Sequence, residues 1–548
     1  MDNKKRVLKQ SLLVGALTSS FGVFISKALG LLYYSPLSFL AGEENMAFYS
    51  ITYTYYDLLL KISSAGIPFA IAALIAKYVA KNDYKTALVV KKLGTSLVMG
   101  LSLICVFVFI LISGPLARQS MGALASADDV NHLKNLFLIL IGAVILVPYL
   151  SVIRSYYQGL KRLDLYASSQ VLEQLVRVLT IVGAGYFVVK VLKLENVWAI
   201  YTAIAAAGFA ALIAIIFFKL STKNDDLRFN ELVSSQEGEA LLKKDVFNEI
   251  LSLGVPYLLI SFLGTIGPLV NTTFFLDYVT GSCGMPVNEA KLSLGILQAN
   301  CSKLNAIPQV LTSGFCAGLV PYLTESLETQ NYDKLSKQVI QILDTVFFIL
   351  IPVIFIFFFF AKDIYFILYG NSNLELGTKL FRASNALGIT ETVLPILSSI
   401  MITLRLKKES VLTLLFGAVI KTVTFFIYVK FLWTYGMVAS TCTASIICIA
   451  VYLFILKKAY DIDFKMTLKR LIVIFIASFI MVIPAIFIHS FIPFNYDSRL
   501  FGIVIMGILG IIMLVAYYLI SVEFSLLQSI FNIKKPNVKK VLMRFKLK

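Results

Sequence analysis

Residues 93–113 read LGTSLVMGLSLICVFVFILIS. The run carries no charge, with Lys91 and Lys92 before it and Arg118 shortly after. It has the length, roughly 20 residues, that a helix needs to cross the apolar core of a bilayer. A spanning segment must satisfy its own backbone polar groups, which makes a lone apolar run of this kind a helix. Similar runs recur on either side. Those before it and just after it lie at 11–40, 47–76, 133–157, 169–190 and 198–219. The rest lie at 249–279, 291–324, 338–361, 379–404, 411–430, 437–456, 471–490 and 499–520. The expected fold class is therefore an all-α polytopic membrane protein of about 14 transmembrane helices. Composition agrees: 58% of the 548 residues are hydrophobic and 15% charged, with mean hydropathy +0.84, far from the soluble average. The longest polar piece, Ser221 to Asn248, reads as a loop.

The start, MDNKKRVLKQ, is basic, but no short apolar core with a small-residue cleavage site follows it, so the first helix is expected to be retained. The net charge of +18 could suit nucleic acid, but its placement argues for a membrane. Lys and Arg concentrate in alternate loops, near Lys85, Lys161, Lys243, Lys334, Lys407 and Lys465, and in the tail from Lys534 onward. The intervening loops carry few. By the positive-inside rule both termini are expected in the cytoplasm, with the basic tail against anionic membrane lipids. No nucleic-acid partner is expected. The six cysteines form no CxxC pair, and His132 and His489 lie far apart, so neither metal nor cofactor is expected. Nor is there a phosphate-cradling glycine loop or a Ser/His/Asp arrangement. The adjacent Asp128 and Asp129 read as a solvated turn.

The first twelve helices look like two copies of a six-helix unit. The second contains Ile67–Pro68 and ends in NDYKTA; the eighth contains Ile307–Pro308 and ends in QNYDKLS. Lys161 and Arg162 precede a helix with Arg177, as Lys407 and Lys408 precede one with Lys421. Repeats of this kind are common in transporters, with substrate held between the halves. The expected division is 1–240 for an N-terminal lobe, 241–465 for a C-terminal lobe, and 466–548 for the last two helices and the tail.

Charges inside a bilayer cost about 2.5–3.5 kcal/mol each on insertion scales, so they face partners, cavities or substrate. Here they are Lys27, Asp57, Lys61, Glu173, Arg177, Lys303, Arg382, Glu391 and Lys421, with Asp277 toward an outer end. Glu173 and Arg177 are four apart and share a helix face, as do Asp57 and Lys61. Arg382 and Glu391 are read near helix ends, where long side chains reach the interface. Lys27 and Lys303 have no acid within four positions. If the halves face each other, Lys27, Lys61 and Lys303 can surround one cavity that suits a phosphorylated ligand and repels a cationic one. Snorkelling, or partners from other helices, is the alternative.

The segment SYYQGLKRLDLYASSQVLEQLVRV, Ser155 to Val178, resembles the signature of the SpoVB/YtgP branch of the multidrug/oligosaccharidyl-lipid/polysaccharide exporter superfamily. Tyr157-Gln158-Gly159 matches its widespread YQG turn. Ser26-Lys27-Ala28-Leu29-Gly30 is similar to the first-helix motif of MurJ-type lipid II flippases, and Ala65-Gly66-Ile67-Pro68 fits their second helix. The resemblance implies a flippase, not an enzyme, that moves lipid II outward by alternating access for cell-wall synthesis and cell shape. It implies diphosphate binding at Lys27, Lys61 and Lys303, a lipid-tail groove at the last two helices, and cell-wall synthesis proteins as partners. Lysine stands where many relatives have arginine, so bidentate phosphate pairing is lost, and Tyr33 replaces a further arginine. Some members bind sodium between helices seven and eleven; here those helices offer Asn271 and Lys421. The rivals are an exporter of another undecaprenyl-linked polysaccharide unit and, from a different class, a membrane glycosyltransferase or polymerase.

Overall fold

The computed structural model describes residues 26, 29–30, 33–64, 66–309, 323, 326–327, 329–492, 494 and 496–531. Lys27, Cys316 and the basic tail from Lys534 lie outside the described residues. Among the described residues every regular element is helical. Packing divides the chain into two compact units, residues 1–300 with 421–437, and 301–420 with 438–548.

The first unit holds α1 (Tyr34–Ala41), α2 (Met46–Ser64), α3 (Ile67–Ala80), α4 (Tyr84–Met121), α5 (Ala127–Gly159) and α6 (Leu163–Tyr186). Next come a π-helical turn (Phe187–Val191), α7 (Trp198–Ser221), α8 (Lys223–Ser235), α9 (Lys243–Leu263), α10 (Ile266–Gly281), α11 (Val287–Gly295) and a second π segment (Ile296–Cys301). The second unit contains α12 (Tyr332–Phe359), α13 (Ala361–Tyr369), α14 (Leu374–Thr403) and the start of α15 (Lys407–Leu432). It also holds most of α16 (Thr434–Tyr460), then α17 (Lys465–Phe491), α18 (Arg499–Glu523) and α19 (Leu526–Phe531). The end of α15 and the start of α16 belong to the first unit.

Eleven helices among the described residues are long and apolar enough to cross a membrane. The first and eighth expected spans run into residues outside the described set, and the seventh is broken at Gly264–Thr265 between α9 and α10. The second span is interrupted too. Gly66, at φ 69°, takes a left-handed conformation that glycine adopts without Cβ strain, and Pro68 opens α3 where its missing N–H costs nothing.

The core of the first unit packs Ile71 and Leu74 of α3, Val90 and Val98 of α4, Tyr156 of α5 and Phe218 of α7. Gly159, the last residue of α5, lets α5 pack close against α3, because a Cβ there would meet Ala72 O at 2.9 Å and Ile75 Cβ at 2.8 Å. Outward faces are apolar, as lipid requires: on α4, Leu103, Ile104, Phe107 and Leu111 are exposed. In the second unit, Ile351 and Phe355 of α12 pack against Met481 of α17 and Leu509 and Met513 of α18.

The polar piece 221–248 is not loop throughout. It contains α8, because Phe229 buries its ring against Tyr84 and Tyr156 and gives a polar segment an apolar anchor. Gln236 then bonds Asp83, whose carboxyl burial would raise; the hydrogen bonds from Gln236 and Thr86 outweigh burial and hold it below the usual range. Asp129 is likewise no solvated turn. Ser126 caps α5 by accepting from Asp129 N, and the Asp129 carboxylate meets buried Lys291 of α11 at 2.7 Å.

The two sequence copies share backbone geometry. Asn82 and Gln330 both have positive φ, at 59° and 54°. Each precedes an N-cap, Asp83 or Asn331, that accepts from the backbone N–H three residues on. After α5 the N–H groups of Leu160, Lys161 and Arg162 donate to Tyr156, Gln158 and Tyr157 O; after α14 those of Leu404, Arg405 and Leu406 donate to Ile400, Ile402 and Met401 O. Lys161 and Arg405 both have positive φ, at 61° and 63°. The repeat is therefore written in turn chemistry as well as in apolar runs.

Candidate functional site

One face of α2 carries Tyr49, Tyr53, Tyr56, Asp57 and Lys61, at the three- and four-residue spacing that lines up helical neighbours. Lys61 Nζ lies 2.6 Å from Asp57 Oδ2 and donates to Thr265 Oγ1 at 2.9 Å. The break between α9 and α10 is what presents Thr265 there. Lys61 is thus a paired, half-buried cation whose charge Asp57 balances, as the four-residue spacing predicts. Below it, Tyr55 OH shares protons with Ser120 and Thr273, and Thr272 donates to Thr54 and Gln298, giving a hydroxyl seam between α2 and α10.

The second cluster is built on α6. Glu173, 6% exposed, accepts from Arg177 Nη2 at 2.5 Å and from Arg154 Nη1 of α5 at 2.7 Å. Arg154 also donates through Nε to Ser169 Oγ at 3.0 Å and through Nη2 to Ser169 O at 2.8 Å. Two guanidinium groups share one carboxylate, leaving one positive charge in excess. Arg177 also lies near Tyr53 and Tyr56 of α2, so the two clusters approach each other at the tyrosine face. Tyr33 is buried and shares a proton with Tyr49 at 2.9 Å.

Lys421 of α15 is 2% exposed. Its Nζ donates to Asn271 Oδ1 of α10 at 2.7 Å and to Met437 O at 3.4 Å, and lies 5.0 Å from the Phe425 ring centroid. An ammonium therefore occupies the place where amide and carbonyl oxygens of these segments converge.

In the second unit Lys303, half-buried, follows the π segment Ile296–Cys301. Arg382 is exposed and donates to Phe358 O at 3.2 Å. Glu391 accepts from Gln309 at 3.3 Å and stands toward the middle of α14 (Leu374–Thr403) rather than near its end. Among the further charged groups that fall within expected spans and escaped the sequence reading, three pair across helices. Arg154 has its acid on the next helix, Asp344 pairs with Arg470, and Lys291 pairs with Asp129. Each partner lies on another helix, beyond any four-residue rule.

Many apolar helices with charge pairs turned inward define a multi-pass transporter fold. The chain belongs to the polysaccharide biosynthesis protein family, whose pattern matches residues 12–327. It is 27% identical to the lipid II flippase MurJ of Bacillus subtilis (strain 168) over 86% of this chain and 88% of that protein. It is 23% identical to stage V sporulation protein B of the same organism, over 76% and 78%. Among solved structures, the lipid II flippase MurJ in an inward closed conformation superposes with TM-score 0.65 at 16% identity, covering 93% of this chain and 98% of that one. An inward-facing multidrug resistance MATE family transporter gives 0.63 at 15%, covering 83% and 97%. MurJ is named as a flippase and the MATE protein as a transporter, and the protein is a multi-pass bacterial membrane protein of the same fold.

Proposed function

We propose that this protein is a lipid II flippase, moving the undecaprenyl-diphosphate-linked peptidoglycan precursor from the cytoplasmic to the outer leaflet by alternating access. The observation that carries the reading is the likeness to a lipid II flippase along most of both chains. The site chemistry supports it. The Arg154–Glu173–Arg177 cluster and Lys421 bring more cations than acids into the membrane interior of the first unit. That sign attracts an anionic ligand and repels the cationic substrates of a drug antiporter.

In this reading Lys27, Lys61 and Lys303 meet the diphosphate, the lobes 1–240 and 241–465 alternate, and the prenyl tail stays in lipid along α17 and α18. Both termini lie in the cytoplasm, where the tail meets anionic lipids, and cell-wall synthesis proteins are partners. Direction follows from physics. One charge crossing the membrane field is worth about 2.3 kcal/mol per 100 mV, and an anion leaving an inside-negative cell goes downhill.

Depletion of the protein followed by labelling of lipid II in each leaflet tests the reading. Lipid II should accumulate in the inner leaflet and fall in the outer one. An unchanged distribution, with loss of another surface polysaccharide, would instead favour export of a different undecaprenyl-linked unit, a reading that the likeness to stage V sporulation protein B keeps open.

A further inference from the structure

The YQG turn contains three residues, and two of them, Tyr157 and Gly159, have structural work. Tyr157 stacks on Phe218 and donates to Asp226 at 2.9 Å. Gly159 permits the close approach of α5 to α3. Gln158 is exposed, and its amide makes no hydrogen bond among the described residues. It lines a cavity of about 610 Å³ wholly inside the first unit, between α3, α5 and α6. Two more uncommitted polar groups of α6, the Tyr166 hydroxyl and the Gln170 side-chain amide, line the same cavity. Arg154 forms part of its wall. A guanidinium has five N–H donors; three of those of Arg154 are directed at Ser169 and Glu173, which leaves two. The opposite wall is apolar, formed by Pro68, Phe69, Ala72 and Ala73 of α3.

This arrangement has the form of a ligand site: concave, walled on one side by apolar surface, with a few convergent polar groups on the other. The amides both donate and accept, so they match sugar hydroxyls and peptide amides. The net positive Arg154–Glu173–Arg177 cluster behind them matches a carboxylate.

We infer that the cavity between α3, α5 and α6 is a subsite for the glycopeptide headgroup of the transported molecule, read by Gln158, Tyr166, Gln170 and the spare N–H groups of Arg154. The inference rests on the lipid II reading and deepens it, since it assigns the headgroup a seat separate from the lysines proposed for the diphosphate.

The test uses the full-length protein in detergent and three probes: a lipid II analogue with a shortened prenyl chain, farnesyl diphosphate, and phosphatidylglycerol. A Gln158→Ala/Tyr166→Phe/Gln170→Ala variant should weaken the lipid II analogue by about tenfold or more and leave farnesyl diphosphate within about twofold. Should that variant fold poorly, Gln158→Glu serves instead, because the position is exposed and a carboxylate there should repel the headgroup with the same selectivity. Equal affinity of wild type and variant for the lipid II analogue overturns the subsite while leaving the flippase reading in place. Loss confined to phosphatidylglycerol overturns it in favour of a membrane-lipid headgroup. If the wild type prefers the lipid II analogue over neither other probe, the lipid II reading itself fails, and the subsite with it.

Discussion

In the first unit, Glu173 accepts from two arginines at 2.5 and 2.7 Å, and one of those arginines also walls an open cavity. In the second unit, Asp344 of α12 accepts from Arg470 of α17, one acid to one base, beside an apolar core that joins α12, α17 and α18. Both clusters are buried and both link neighbouring helices, but their arithmetic differs. The balanced pair has no charge left over, so its work is to hold α17 on α12. The unbalanced cluster keeps a net cation and spare donors next to a void. Buried ions that serve packing alone are neutralised, and an excess that persists beside a cavity marks the part of the membrane interior turned toward a ligand.

The comparison breaks most readily at Glu173. Glu173→Ala strands Arg154 and Arg177 facing each other and should destabilise the protein by about 3–5 kcal/mol, read as a fall in thermal stability in detergent. A mild effect there would mean that the two guanidinium groups have other anchors. Asp344→Ala should cost less, about 3 kcal/mol, because Arg470 is 19% exposed and can turn toward water. A paired Asp344→Leu/Arg470→Met replacement should restore most of that stability, since well-packed apolar residues replace buried ion pairs at little cost. The matching apolar replacement of Glu173, Arg154 and Arg177 should restore folding but not transport, which sharpens the contrast between clamp and site.

Lys421 gives an intermediate case. Lys421→Met should change stability by about 1 kcal/mol or less, because the cost of burying the ammonium disappears with its hydrogen bond to Asn271. Its effect should appear in coupling. The wild type should transport equally in sodium and potassium at fixed potential, and the variant should gain sodium sensitivity as oxygens of Asn271 and Met437 O become free. The smallest effect belongs to the exposed pair between Lys77 and Glu249, at 2.8 Å and 42% and 36% exposed. Lys77→Ala should shift stability by about 0–1 kcal/mol.

Much of this was legible in the sequence, for identifiable reasons. Apolar runs reported the spans because a bilayer requires them, and the four-residue spacing gave Asp57–Lys61 and Glu173–Arg177 because a helix fixes that geometry. Asn271 and Lys421, on separate helices, are joined at 2.7 Å. What the sequence hid are pairings set by tertiary packing. Arg154 sits 19 positions from Glu173 and Lys291 sits 162 from Asp129, and no periodicity links such residues. The breaks at Gly66 and at Gly264–Thr265 were also hidden inside continuous apolar runs, because hydropathy reports burial in lipid and says nothing of backbone angle.

The central claim is that an excess of positive charge inside the membrane serves export of a lipid-linked anion. The most direct measurement places the purified full-length protein in vesicles with peptide-labelled lipid II, imposes a potential, and follows label accessible to a membrane-impermeant reagent. The account predicts protein-dependent appearance of lipid II on the electrically positive side, faster as the potential rises and unchanged when sodium is replaced by potassium. Label that stays put with protein present, or that moves at a rate indifferent to the potential, would contradict it.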